Sequence, residues 1–173
     1  MIRPILLHPD PRLKKNCLPA EAVTVEIGQL AEDMLATMYA APGIGLAAPQ
    51  VGVLSRVLVM DCVKDPAKLP RPMALINPVV TWSSEDVSVY DEGCLSIPDH
   101  YADVTRPAKV RVAWLGLDGA PQEEEFEGIW ATCVQHEIDH LNGKLFIDYL
   151  GPLKRQLITR KMEKLKRELA RRD

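Results

Sequence analysis

Aromatic residues make up only 5% of the 173 residues, too few for the base-stacking surface that single-strand nucleic-acid binders use. No apolar run approaches the roughly 18 residues a membrane span needs. The start offers only Ile5-Leu6-Leu7 before His8 and Pro9, so no signal peptide is expected and the cytoplasm is the default compartment. Internal repeats and low-complexity segments are absent. The four cysteines (Cys17, Cys62, Cys94, Cys133) are too few, in a chain this long and a reducing compartment, to suggest a disulfide scaffold. What remains is ordinary for a globular protein: 47% hydrophobic and 26% charged residues, in a length that suits one domain.

The net charge of -3 conceals an asymmetry. Residues 1–153 carry 12 Lys and Arg against 21 Asp and Glu, whereas residues 154–173 carry nine against three. The chain is therefore read as a body over 1–153 that holds the chemistry and a basic amphipathic helix over 154–173, part of the same domain.

Apolar residues at helical spacing between Val25 and Met38, with Thr24 as N-cap, predict a first helix ended by Pro42 and Gly43. The Gly- and Pro-rich stretch Gly43 to Gly52 reads as a loop. Strand-like runs follow at Arg56–Asp61, Met73–Trp82, Val87–Tyr90, Lys109–Leu117 and Gln122–Glu127, with Asp118-Gly119 as a hairpin turn. The helix-strand alternation of a parallel sheet is missing. The expected class is α+β: antiparallel strands around a central metal-binding helix, with an amino-terminal and a carboxy-terminal helix. That central helix runs from Gly128 to Leu141 and stops at Asn142-Gly143. The last begins near Pro152, with Leu153, Leu157, Met162, Leu165 and Leu169 placed near one stripe.

His136-Glu137-Ile138-Asp139-His140 is an H-E-x-x-H sequence. On a helix both imidazoles share a face and reach one metal, while Glu137 can take a proton from water at that metal. The bland reading is a helix with two surface histidines, but Trp130 and Val134 give this helix a face to bury. A catalytic site needs a third ligand. Phe146 stands where a metzincin would carry a histidine, so that pattern fails. Glu163 and Glu168 are better read as partners of neighbouring basic residues, and His8 and His100 lie in no ligand-like setting. Cys94 in Glu92-Gly93-Cys94-Leu95-Ser96 offers a thiolate, and Gly93 would let the backbone pass close to a metal; alone, Cys94 reads better as a buried structural cysteine, and only beside the other two segments does the ligand reading prevail.

Three segments together, Gly43-Ile44-Gly45-Leu46-Ala47-Ala48-Pro49-Gln50, Glu92-Gly93-Cys94-Leu95-Ser96 and Gln135-His136-Glu137-Ile138-Asp139-His140, resemble the three motifs of the peptide deformylases in order and spacing. The resemblance implies removal of the formyl group from the N-terminal formylmethionine of newly synthesised polypeptides. It also implies one bound divalent metal, Fe2+ by preference, with Zn2+, Ni2+ or Co2+ able to replace it. Its ligands fall on Cys94, His136 and His140 and its general acid/base on Glu137. The hydrogen-bonding glutamine is Gln50, accompanied by the Leu95 backbone N–H, and the loop holding Gly43 and Gly45 grips the substrate backbone. Some members carry arginine seven residues after the ligand cysteine, where this chain has Tyr101.

Selectivity for methionine requires a side-chain pocket, for which Ile44, Ile129, Thr132 and Cys133 are the expected lining. Two other readings compete. An H-E-x-x-H zinc endopeptidase would need a different third ligand, and an RNA-associated module acting through the basic tail would leave the three motifs unexplained. Within the main reading the tail is first a solvated helix with a basic face, and the alternative is that it docks the enzyme on the ribosome near the exit tunnel. No membrane partner is expected.

Overall fold

The computed structural model describes all of residues 1–173. Thr24 caps α1 (Val25–Ala40), its hydroxyl accepting the Ile27 N–H at 3.3 Å, and Leu30, Ala31, Met34 and Met38 are buried along one stripe. The segment expected as a loop is more regular than its composition suggests. Gly45–Ala47 forms a short strand, β1, and Ala48–Val51 a single 3-10 turn. Three residues are too few to display a period. The strand exists because it pairs with β2 (Val57–Met60), Gly45 opposite Met60 and Ala47 opposite Leu58.

An antiparallel five-stranded sheet runs in the order β1-β2-β3-β6-β7, with β3 at Met73–Ser83, β6 at Lys109–Leu115 and β7 at Pro121–Glu127. A second sheet pairs β4 (Val87–Cys94) with β5 (Ile97–Pro107). The class is α+β. Strand β5 was not expected from the sequence. Pro98 and the left-handed Asp99 (φ 64°) break its alternation, and its inward positions include a buried arginine, Arg106, beside Ala102 and Val104.

The central helix, α2 (Gly128–Leu141), lies on the larger sheet. Its Ala131, Val134, Ile138 and Leu141 pack with Leu58, Leu75, Val110, Val112 and Phe126. Each fully buried aliphatic side chain contributes about 1.5–3 kcal/mol. The helix stops at Asn142 because Gly143 turns left-handed (φ 73°) and passes so close to Lys14 that a Cβ would lie 2.5 Å from its carbonyl oxygen.

A separate cluster under the small sheet joins Leu13, Ile97, Val104, Phe146 and Ile147 to Ile158 and Met162 of α3 (Pro152–Ala170). The stripe on α3 differs from the expected one. Ile158, Met162 and Leu165 face the body, while Leu153 and Leu157 are 82% and 52% exposed. At 100° per residue, Leu157 sits a third of a turn and Leu153 nearly half a turn from the Ile158–Met162 line, so both belong to the solvent face. Leu169 shares that line but lies in the last turn, and it is 40% exposed.

Candidate active site

The chemistry-bearing side chains come from three places: β1 with the turn after it, the closed end of the β4–β5 hairpin, and the middle of α2. Cys94 ends β4 and pairs with Ile97 across the two-residue turn Leu95-Ser96. His136 and His140, one helical turn apart and both buried, present their rings 5.0 Å apart. Cys94 Sγ lies 3.3 Å from His140 Nε2, and one donor atom from each of Cys94, His136 and His140 falls within 4.8 Å of the others. No other His, Asp or Glu joins this group. His8 is bonded through Nε2 to Thr159 Oγ1 at 2.9 Å, and Glu163 and Glu168 stand on α3. Phe146 stacks on His136 at 6.2 Å between ring centroids.

Sequence reasoning left the support of His136 unassigned. Its Nδ1–H donates to Glu92 Oε1 at 2.9 Å, which leaves Nε2 toward the thiol and Glu137. Glu92 is gripped by Arg106 through two bonds of 2.7 and 2.9 Å, and Arg106 Nη1 reaches Asp139 Oδ2 at 2.8 Å. The Tyr149 hydroxyl donates to the same Asp139 oxygen at 2.7 Å, and its ring lies under the guanidinium. Arg106 and Glu92 are both 4% exposed. Burial pushes the Glu92 carboxyl up, but His136 and Arg106 outweigh it and hold it below the usual range.

These surroundings suit a cation. Burial disfavours charge on His136, yet the Cys94 sulfur and Glu92 carboxylate raise it well above its ordinary value, so the local field draws positive charge to this point. Burial and the neighbouring His136 lower His140 well below its ordinary value, keeping that imidazole neutral, the form that ligates. One thiolate and two imidazoles suit iron, zinc, nickel or cobalt, and a ligating histidine commonly donates its other N–H to a carboxylate, as His136 does.

Glu137 stands beside this group with Oε1 4.0 Å from His136 Nε2, while Oε2 is buried without a partner. Burial is the main cause of its pKa being pushed up to about 7. Gly45 makes the approach of β1 possible: a Cβ there would lie 2.7 Å from both Glu137 Oε1 and Cys133 Sγ. Gln50, 1% exposed, is fixed at both ends of its amide. Its Oε1 accepts the Ala47 N–H at 2.9 Å, and its Nε2 donates to Ser96 Oγ at 3.0 Å and faces Cys94 Sγ at 3.5 Å.

A cleft of about 620 Å³ opens over this group. Gly43, Ile44, Gly45, Ile129, Thr132 and Cys133, the residues expected to grip the substrate and line a side-chain pocket, all border it, as do Gln50, Cys94, Leu95, His136 and Glu137. The Leu95 side chain packs over Gly43, where a Cβ would meet it at 2.7 Å. The space beside Gly93 is filled differently from the expectation. The Tyr101 ring occupies it, 2.5 Å from where a Cβ would stand.

The family model described as polypeptide deformylase matches residues 2–156. A curated relative named peptide deformylase, from Mesorhizobium japonicum, is 54% identical over 169 residues, covering 98% of this chain and 96% of its own. Among solved structures, a peptide deformylase from Legionella pneumophila has a TM-score of 0.89 at 46% identity, with 99% of each chain covered. One from Ehrlichia chaffeensis, solved in complex with actinonin, has a TM-score of 0.92 at 37% identity, covering 96% of this chain and 98% of its own.

Proposed function

The chain belongs to the polypeptide deformylase family and is a hydrolase of N-formylmethionyl peptides; from that premise we propose how its residues divide the reaction. Cys94, His136 and His140 hold one divalent ion, Fe2+ in the native enzyme, with Zn2+, Ni2+ and Co2+ as alternatives. The observation that carries this reading is the convergence of their donor atoms within 4.8 Å beside the buried Glu137. When bound, the ion lowers the pKa of a water molecule and polarises the formyl oxygen.

Glu137 takes the proton from the attacking water as that water adds to the formyl carbon, then passes it to the leaving amine, so that formate and a free N-terminal methionine result. Burial raises this carboxyl in the metal-free protein, which favours its holding a proton between the two steps. The charge that builds on the formyl oxygen is met by the Gln50 side-chain N–H and the Leu95 backbone N–H. Gln50 needs no reorientation, because its carbonyl is committed to Ala47 and its amide nitrogen faces the Cys94 end. Gly43 and Gly45 hold the substrate backbone, and Ile44, Ile129, Thr132 and Cys133 receive the methionine side chain.

No helix of the chain is long and apolar enough to cross a membrane. Formylated chains emerge from ribosomes, so the compartment proposed for the enzyme is the cytoplasm, and α3 with the residue after it is its proposed docking element, with Lys154, Arg155, Lys161, Lys164 and Arg171 toward RNA. Replacing these five by Gln should weaken ribosome co-sedimentation at low salt without loss of activity on short peptides. Equal sedimentation would refute the docking. The test of the main reading is Cys94→Ala, assayed for bound metal and for release of formate from a formyl-Met peptide. Loss of both is expected. A variant that keeps its metal and cleaves internal peptide bonds would mark an endopeptidase instead.

A further inference from the structure

Leu6–His8 belongs to no helix or strand, yet this strap touches both turns that carry the oxyanion donors. The Leu6 N–H donates to the Gln50 carbonyl at 2.7 Å, and the His8 N–H donates to the Ser96 carbonyl at 2.9 Å. Two N–H groups only two residues apart thus clamp the turn after β1 to the turn between β4 and β5. Ser96 closes the circuit. Its buried hydroxyl accepts a bond from Gln50 Nε2 at 3.0 Å, while Gln50 Oε1 is committed to the Ala47 N–H. An amide nitrogen carries two N–H groups, so the bond to Ser96 sets the direction of the second, the one left for the formyl oxygen.

The strap is itself held by one polar contact. Leu6 and Leu7 pack on the cluster under the small sheet, as Ile158 and Met162 of α3 do, but apolar attraction is non-directional. His8, the only polar side chain of the three, is buried, and its Nε2 is bonded to Thr159 Oγ1 on α3 at 2.9 Å, 151 residues away in the chain. Both residues border a cavity of about 730 Å³ that shares no residue with the cleft. Close packing therefore does not lock the pair, and the hydrogen bond decides its position. Burial and the nearby Lys14 lower the His8 pKa, which keeps the ring neutral.

We propose that His8 is a positioning residue for the reaction: through its bond to Thr159 it holds the strap on Ser96, and Ser96 in turn fixes the Gln50 amide at the oxyanion. The inference rests on the deformylase reading and adds to it a side chain remote from the metal ligands. Misplacement by about 1 Å costs on the order of 10² in rate, so a shift of roughly a quarter to a half of that corresponds to about three- to tenfold.

The test compares the metal-loaded enzyme with Thr159→Val, which removes the hydroxyl at nearly constant volume, with Thr159→Ser, which keeps it, and with His8→Ala. In Thr159→Val and His8→Ala, kcat on a formyl-Met peptide should fall about three- to tenfold with KM and metal content unchanged. Thr159→Ser should match the parent. In a Gln50→Ala background the loss from Thr159→Val should shrink toward none, because the group being positioned is gone. Hydrogen exchange on the zinc-loaded protein reads the strap without turnover: the Leu6 and His8 amides should exchange faster in Thr159→Val and not in Thr159→Ser. Parental kcat in Thr159→Val, a loss of the same size in the Gln50→Ala background, or unchanged exchange at both amides overturns the inference. A parent enzyme that releases no formate in any metal form overturns the reading of the reaction, and the inference with it.

Discussion

Gly45→Ala displaces Glu137 while leaving the three metal-ligand side chains untouched. The added methyl would stand 2.7 Å from Glu137 Oε1 and from Cys133 Sγ, against about 3.4 Å for ordinary contact, so both must retreat by roughly 0.7 Å. Gly45 is buried, and overpacking of this kind costs about 1–3 kcal/mol. For a chain of this length that lowers Tm by roughly 2–12 °C. Misplacement of a catalytic group by about 1 Å costs on the order of 10² in rate. The substitution touches none of Cys94, His136 or His140, so metal content should be unchanged while kcat falls about 10²-fold in a formate-release assay. Adding Cys133→Ala removes one of the two clashes: Tm should partly recover and kcat should not. A Gly45→Ala enzyme with wild-type kcat, or a double variant that regains it, would refute the assignment of Glu137 as the group that moves the proton from this position.

Three further outcomes are expected. Gln50→Ala should lower kcat by about 10² to 10³ with little change in KM, as when one oxyanion donor is removed; an effect on KM alone would assign Gln50 to substrate positioning. Arg106→Met leaves Glu92 buried with only His136 for company, and should cost about 3–5 kcal/mol in thermal or urea unfolding and weaken metal binding about 10- to 100-fold in chelator competition. In chelator-treated protein the pKa of Glu137, about 7 when folded against 4.5 as a free carboxyl, means that the folded state holds the extra proton between those values. Stability should therefore fall as pH rises from about 4.5 to 7, by up to about 3 kcal/mol from this group, and Glu137→Gln should remove that part of the slope. A variant with the same pH profile as the parent would show that Glu137 is not desolvated.

The helices and most strands were legible because their periods are long enough to show: α1, α2, β6 and β7 follow from spacing, and the H-E-x-x-H sequence needs only a helix to bring two imidazoles together. The support of the site was hidden because it is carried by charge where a pattern looks for apolar residues. Arg106 occupies an inward position on β5, and with Pro98 and Asp99 it conceals that strand and, with it, the link from Glu92 to Asp139. Gly93 illustrates a second limit. Its freedom from a side chain was legible, but what fills the space, the Tyr101 ring, depends on the cross-strand register of a hairpin that local sequence does not reveal. On α3, composition pointed to an amphipathic helix but not to which leucines face inward, because two apolar lines coexist and only the body decides between them.

In the proposed division of labour three side chains hold the metal while a fourth, Glu137, moves the proton. Glu137→Gln preserves shape and removes only the base. Metal content and formate release from a formyl-Met peptide, measured on the same purified sample of this variant, separate the two roles. Full metal occupancy with turnover reduced by several orders of magnitude is the expected result; retained turnover, or loss of the metal along with activity, would contradict the division of labour.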